Sequence, residues 1–146
     1  MKTLNDKARD IFCLLMEKMD GNDHLRIENV PLMPLVIENL NKDVLTSLGM
    51  GNTYSLTNYF VNTGDLIRDP EMCFIVVDHR TETQKSTELV KIIPYSLIQD
   101  LVNVKIDSIT IKNSVATSID QAQQHEQKLF ADYWLLLIRD AKYLER

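Results

Sequence analysis

Leu129-Phe130-Ala131-Asp132-Tyr133-Trp134-Leu135-Leu136-Leu137-Ile138 is the stretch on which the fold turns. It extends upstream to Ser118, which forms a capping box with Gln121, and downstream to about Leu144. One long helix is therefore expected here. Its core face gathers Ile119, Ala122, Leu129, Phe130, Tyr133, Leu137 and Leu144. A surface helix needs an apolar stripe only about 100° wide to cover a core. Leu135 points opposite the stripe and Ile138 lies well off it, so this section is apolar nearly all round. Either it is covered on both sides, or it offers a partner or a second copy an apolar patch, with Trp134 as the natural anchor.

A second helix is expected over residues 3–19, where Leu4, Ala8, Ile11, Phe12, Leu15, Met16 and Met19 recur at helical spacing before Gly21-Asn22 stops the run. Between the helices the period changes to two. His24–Val30 reads as a strand, Pro31 and Pro34 mark a break or an edge, and Leu35-Val36-Ile37 restarts extended chain. Residues 41–51 read as a loop. Thr53–Val61, Cys73–Val77, Glu88–Leu97 and Val102–Ile111 read as strands, and Asp78–Glu88 as a polar loop. The expectation is one α+β domain over residues 1–146. It has a mainly antiparallel sheet of about five or six strands, with an amphipathic helix from each end packed on it.

The bulk numbers narrow the function. The 146 residues are 45% hydrophobic and 25% charged, which suits one globular core. The net charge is −5, opposite to the basic face that grips nucleic-acid phosphates. Direct nucleic-acid binding is not expected; an acidic surface suits a basic protein partner better. Cys13 and Cys73 stand alone, as in a reducing compartment. No apolar run reaches the roughly 18 residues of a membrane span, and no signal-peptide pattern follows Met1. Cytoplasm is the expected location.

Asp65-Leu66-Ile67-Arg68-Asp69-Pro70-Glu71 carries the densest chemistry: three carboxylates and one arginine within a short segment between strands, after the turn signal Asn62-Thr63-Gly64. As chemistry, Asp65, Asp69 and Glu71 could hold a metal ion or split acid and base roles, as in a small hydrolase. As architecture, Gly64 allows positive φ, the aspartates bond local backbone and Arg68 pairs with a carboxylate. The spacing is not that of a calcium loop. Glu126 falls within the apolar stripe of the last helix, where a carboxylate is either paired or a buried acid of raised pKa. His24, His79 and His125 have no ligand spacing. Tyr54, Tyr59 and Phe60 cluster on one strand without basic companions. No cofactor motif is present, and none is expected.

Leu25-Arg26-Ile27-Glu28-Asn29, Met33 to Glu38, Asn58-Tyr59, Gly64-Asp65-Leu66-Ile67-Arg68-Asp69-Pro70-Glu71-Met72 and Phe130 to Ile138, in this order, resemble a family of small proteins of unknown function carried by plasmids, phages and integrative elements. The chain departs from that family at Asn58, usually histidine there, and at Thr63, usually asparagine. Loss of the histidine removes the best general base. The resemblance implies a mobile-element origin and supplies no activity.

The reading favoured by all of this is a non-enzymatic binding protein, an inhibitor of a host defence effector such as a CRISPR or restriction complex. Its expected contact residues are Tyr59, Asp65, Arg68, Asp69, Glu71, Trp134, Leu135 and Ile138. The metal-dependent hydrolase and a homodimeric scaffold are the alternatives.

Overall fold

The computed structural model describes all residues, 1–146. Helix α1 (Asp6–Lys18) opens on Asn5, whose side chain accepts from the Ala8 N–H. The expected stripe is the buried one: Leu4, Ala8, Ile11, Phe12, Leu15 and Met19 all enter the core. Then come β1 (His24–Asn29), β2 (Leu32–Thr46), β3 (Gly49–Asn62), β4 (Asp65–Asp78), β5 (Val90–Gln99), β6 (Val104–Asp107), β7 (Ile109–Lys112), β8 (Val115–Ile119) and α2 (Gln121–Asp140).

The eight strands form one sheet in the order β6-β5-β4-β3-β2-β8-β7, with β1 antiparallel to the first half of β2. Every pairing is antiparallel except β2 with β8, which meet in parallel at Leu45 and Val115. The α+β expectation therefore holds, with more strands than the sequence suggested. Residues 41–51, read as a loop, are the end of β2 and the start of β3. Their turn is tied by Thr46, whose hydroxyl donates to the Gly49 carbonyl and accepts from the Leu48 N–H. Gly51 lies where a Cβ would come within 2.4 Å of the Ile75 side chain, so the hairpin closes onto β4 only without one. The Val102–Ile111 segment breaks at Ser108 into β6 and β7, and Val115–Ile119 adds β8. Pro34 is accommodated at the register shift between β1 and β2.

Both faces of the sheet are covered at its centre. α1 and α2 pack on one face against Leu35, Ile37, Leu56, Met72, Phe74, Val76 and Ile92. On the other, Ile109 meets Val44, Ile75, Val77 and Ile93. This explains the unbroken apolar run from Cys73 to Val77: alternate side chains serve different cores.

The facing of α2 differs from expectation. Its buried residues are Gln124, Gln127, Ala131, Asp132, Trp134, Leu135 and Ile138, while Leu129, Tyr133 and Leu137 are exposed. The cause is polar anchoring. Gln124 donates to the carbonyls of Pro94 (3.1 Å) and Lys2 (2.8 Å) and accepts from the Lys2 N–H. Gln127 donates to the Ile106 carbonyl and accepts from the Ser108 hydroxyl. Asp132 accepts from the Asn5 N–H and the Lys128 ammonium. A buried polar group whose bonds are all made is a stable core element, so the helix turns this side inward. Glu126, expected within the stripe, is exposed. The N-cap is Asp120, accepting from the Gln123 N–H; Ser118 belongs to β8. After Asp140 the chain leaves the α-helix, and Tyr143–Glu145 form a 3-10 turn.

Candidate functional site

The acidic segment 65–71 is strand, not loop. Thr63 and Gly64 take positive φ (51° and 85°) and turn β3 into β4, as the Asn-Thr-Gly-Asp signal predicts. β3 pairs with β2 only up to Asn58, and β4 pairs with β5 only from Glu71. Residues 59–68 therefore project beyond the sheet as a two-stranded arm, with Tyr59 opposite Arg68, Phe60 opposite Ile67 and Val61 opposite Leu66.

The four charged residues of the segment part company. Asp65 sits exposed at the arm tip, opposite Asn62. The Arg68 guanidinium donates to both Asp100 oxygens at 3.0 and 3.1 Å and to Glu71 at 3.4 Å. Hydrogen bonding to Asp100 holds the guanidinium above its usual range, and the same contact keeps the Asp100 carboxyl below its own. Asp69 has no side-chain hydrogen bond and no ion pair, and it is among the residues lining a cleft. No three carboxylate, histidine or cysteine side chains lie together in a metal-ligating group. The ligand set of the hydrolase reading is thus not assembled here.

The aromatic and apolar candidates also separate. Tyr59 is half-buried under the Arg26 guanidinium, 5.2 Å from its ring centroid. Trp134 is buried and donates its indole N–H to Asn58 Oδ1 at 2.9 Å. Asn58 in turn donates to the Pro34 carbonyl at 3.2 Å. So the position where a general base was missed is a structural tie between α2 and β3. Leu135 and Ile138 lie in the core and cannot touch a partner, which corrects the expected patch.

The exposed apolar surface lies elsewhere. Of thirteen exposed large hydrophobic residues, eight fall at the arm end of the sheet. They are Val30 and Leu32 in and after the β1–β2 turn, Val61 and Leu66 on the arm, Leu101 and Val102 in the 3-10 turn Asp100–Val102 after β5, and Tyr133 and Leu137 on α2. The registers place them at one end of the sheet, with Val61 and Leu66 on the face away from α2. β1 and β2 meet there at Asn29–Leu32, β5 ends there beyond Ile98, and α2 runs toward it, since Asn29 donates to the Ala141 carbonyl. Lined by three of them, Leu32, Tyr133 and Leu137, a cavity of about 420 Å³ opens between α2 and β4, walled also by Trp134 and Pro70 and edged by Asp69 and Gln99. A second cavity of about 630 Å³, which includes Glu126 and Leu129, shares Phe130 and Tyr133 with it. Sequence reasoning missed Leu66, Leu101, Val102 and Asp100. The signal available was an apolar Leu-Val pair directly after an aspartate.

Other cavities are polar or shallow. One of about 660 Å³ between α1 and β4 is lined by Asp10, Glu17, Asp78 and Arg80. There Arg80 hydrogen-bonds Asp78 and keeps that carboxyl below its usual range. Burial pushes the Cys73 thiol up to about 12 and raises the Tyr95 phenol, so neither is a poised nucleophile.

The architecture defines a class: an α+β domain with two helices on one face of a mixed sheet and an apolar end built around a projecting hairpin. The chain belongs to the family described as the domain of unknown function DUF6908, whose profile matches residues 9–144. Neither the curated proteins nor the solved structures contain a significant match. No helix is long and apolar enough to cross a membrane.

Proposed function

We propose that this is a non-enzymatic protein-binding domain that engages its partner with the arm end of the sheet. The observation that carries the reading is the concentration of eight exposed hydrophobic side chains at this end of the sheet, three of which, Leu32, Tyr133 and Leu137, line one cleft. Isolated exposed leucines are ordinary on any surface; their concentration at one end, with part of them lining a cleft, is the pattern of an interaction site. The net charge of −5 favours a basic partner surface, and a nucleic-acid-binding effector of host defence offers one. Under this reading the domain is an accessory protein of a mobile element, and it acts by covering such a surface.

The test is affinity capture from host lysate at physiological salt, using the wild type beside Leu66→Glu and Tyr133→Glu. Both sites are exposed, so the variants are expected to fold normally. The expected result is one protein retained by the wild type and lost from both variants. Capture unaffected by either substitution, or no capture at all, refutes the reading. Retention of only the chain itself points instead to a homodimer.

A further inference from the structure

Asp69 is the one formal charge among the residues lining the smaller cleft, and its carboxylate has no partner within the chain. Every neighbouring cation is engaged elsewhere or outside the cleft: Arg68 is bound to Asp100 and Glu71, and Arg26 to Glu28 and the Tyr59 ring. The remaining polar lining is nearly silent. Asn58 is already bonded to Trp134 and to the Pro34 carbonyl. The walls are aromatic and aliphatic, chiefly Tyr133, Trp134 and Leu137. The volume, about 420 Å³, lies at the lower end of ligand-sized pockets, roughly 300–1,000 Å³.

We infer that this cleft is the anchor pocket for a single arginine side chain of the protein partner, with Asp69 as its counter-ion. The inference rests on the protein-binding reading above and names the chemistry of the contact. An arginine has an apolar stem and a planar charged head. The stem lies along Leu137 and the Tyr133 ring, and the guanidinium meets the carboxylate of Asp69. A lysine fits less well, because its compact ammonium neither stacks on aromatic faces nor forks onto a carboxylate. An anionic membrane is disfavoured as occupant, since the cleft presents a free negative charge and no free cation.

The probe is N-acetyl-arginine methylamide, titrated into the full chain and followed by the Trp134 indole N–H and Gln99 amide resonances. A fragment of about fifteen non-hydrogen atoms is expected to saturate in the millimolar range. N-acetyl-citrulline methylamide has the same shape without the charge, and its binding should be at least tenfold weaker. Asp69→Asn, a substitution at a half-exposed site with no bonds to lose, should weaken the arginine probe to the level of citrulline. Equal binding of the two probes, equal binding by wild type and Asp69→Asn, or resonance shifts confined to residues far from the cleft overturns the assignment. So does sedimentation of the wild type with vesicles containing phosphatidylglycerol. The outcomes separate the two readings. Capture that is lost in Tyr133→Glu yet untouched by Asp69→Asn sinks the arginine pocket alone. Arginine binding with capture unaffected by Leu66→Glu and Tyr133→Glu sinks the broader reading alone.

Discussion

The facing of α2 can be tested with two leucines two residues apart. Leu135 is fully buried against α1 and the sheet, whereas Leu137 is 46% exposed. Leucine to alanine removes three carbons. At about 0.8 kcal/mol per buried methylene, transfer alone accounts for about 2.4 kcal/mol at Leu135. The surrounding side chains relax only partly, and the void left behind adds to that, so the total falls at about 3–4 kcal/mol. At Leu137 roughly half the area is already wet and water fills the gap, so the loss is about 1 kcal/mol. For a chain of this length each kcal/mol moves the midpoint by about 3–4 °C. Leu135→Ala should therefore melt about 10 °C or more below the wild type, and Leu137→Ala about 3–4 °C below. Urea unfolding followed by circular dichroism, with unchanged slope, gives the same comparison in free energy. Equal losses at the two positions, or a larger loss at Leu137, refute the polar-anchored face. They would restore the apolar stripe that periodicity alone suggests.

Gly51→Ala places a methyl 2.4 Å from Ile75 and 3.1 Å from the Val76 carbonyl, so it should cost about 1–3 kcal/mol in a urea titration. A neutral effect there means β3 and β4 pack less closely than described. Arg80 and Arg68 hold the carboxyls of Asp78 and Asp100 below their unfolded range. The stability they give is present above about pH 4 and is lost as pH falls through their folded values. Urea midpoints at pH 6 and pH 3 should thus differ less in Asp78→Asn than in the wild type; an identical drop removes the linkage. The Cys73 thiol, raised to about 12 by burial, and Cys13, raised by the same cause, should resist iodoacetamide at pH 8 until the protein is unfolded. Rapid alkylation of the native chain contradicts the burial of Cys13 and the partial shielding of Cys73.

Elements whose apolar spacing decided their burial were legible in the sequence. α1 is one, because all of its stripe residues are in the core or packed on it. The Cys73–Val77 run is another, since only a strand covered on both faces reads that way. The β3–β4 turn announced itself through Gly64 and its neighbours. What stayed hidden depends on partners distant in sequence. Residues 41–51 look polar and loop-like, yet they pair as the end of one hairpin because β8 and the second core support them. Asp100 is one aspartate among many until Arg68 is placed beside it, 32 residues away.

The rotation of α2 carries the same lesson through to the site. Periodicity assumes that apolar residues seek the core and polar ones seek water. Gln124 and Gln127 invert that rule because the carbonyls of Lys2, Pro94 and Ile106 and the hydroxyl of Ser108 would otherwise be left without these partners. A backbone group buried without a partner costs more than the side-chain amide that satisfies it. Once those amides and Asp132 occupy the inner face, Leu129, Tyr133 and Leu137 have no place left except the surface. Their exposure is thus a consequence of how the helix is fastened, and through Tyr133 and Leu137 it also gives the cleft at Asp69 its apolar wall. A domain with no use for that wall could carry polar residues at Tyr133 and Leu137 without disturbing a single anchoring bond. Tyr133 and Leu137 exposed beside a carboxylate that nothing in the chain neutralises are the physical basis for proposing that this end of the molecule is covered by a partner.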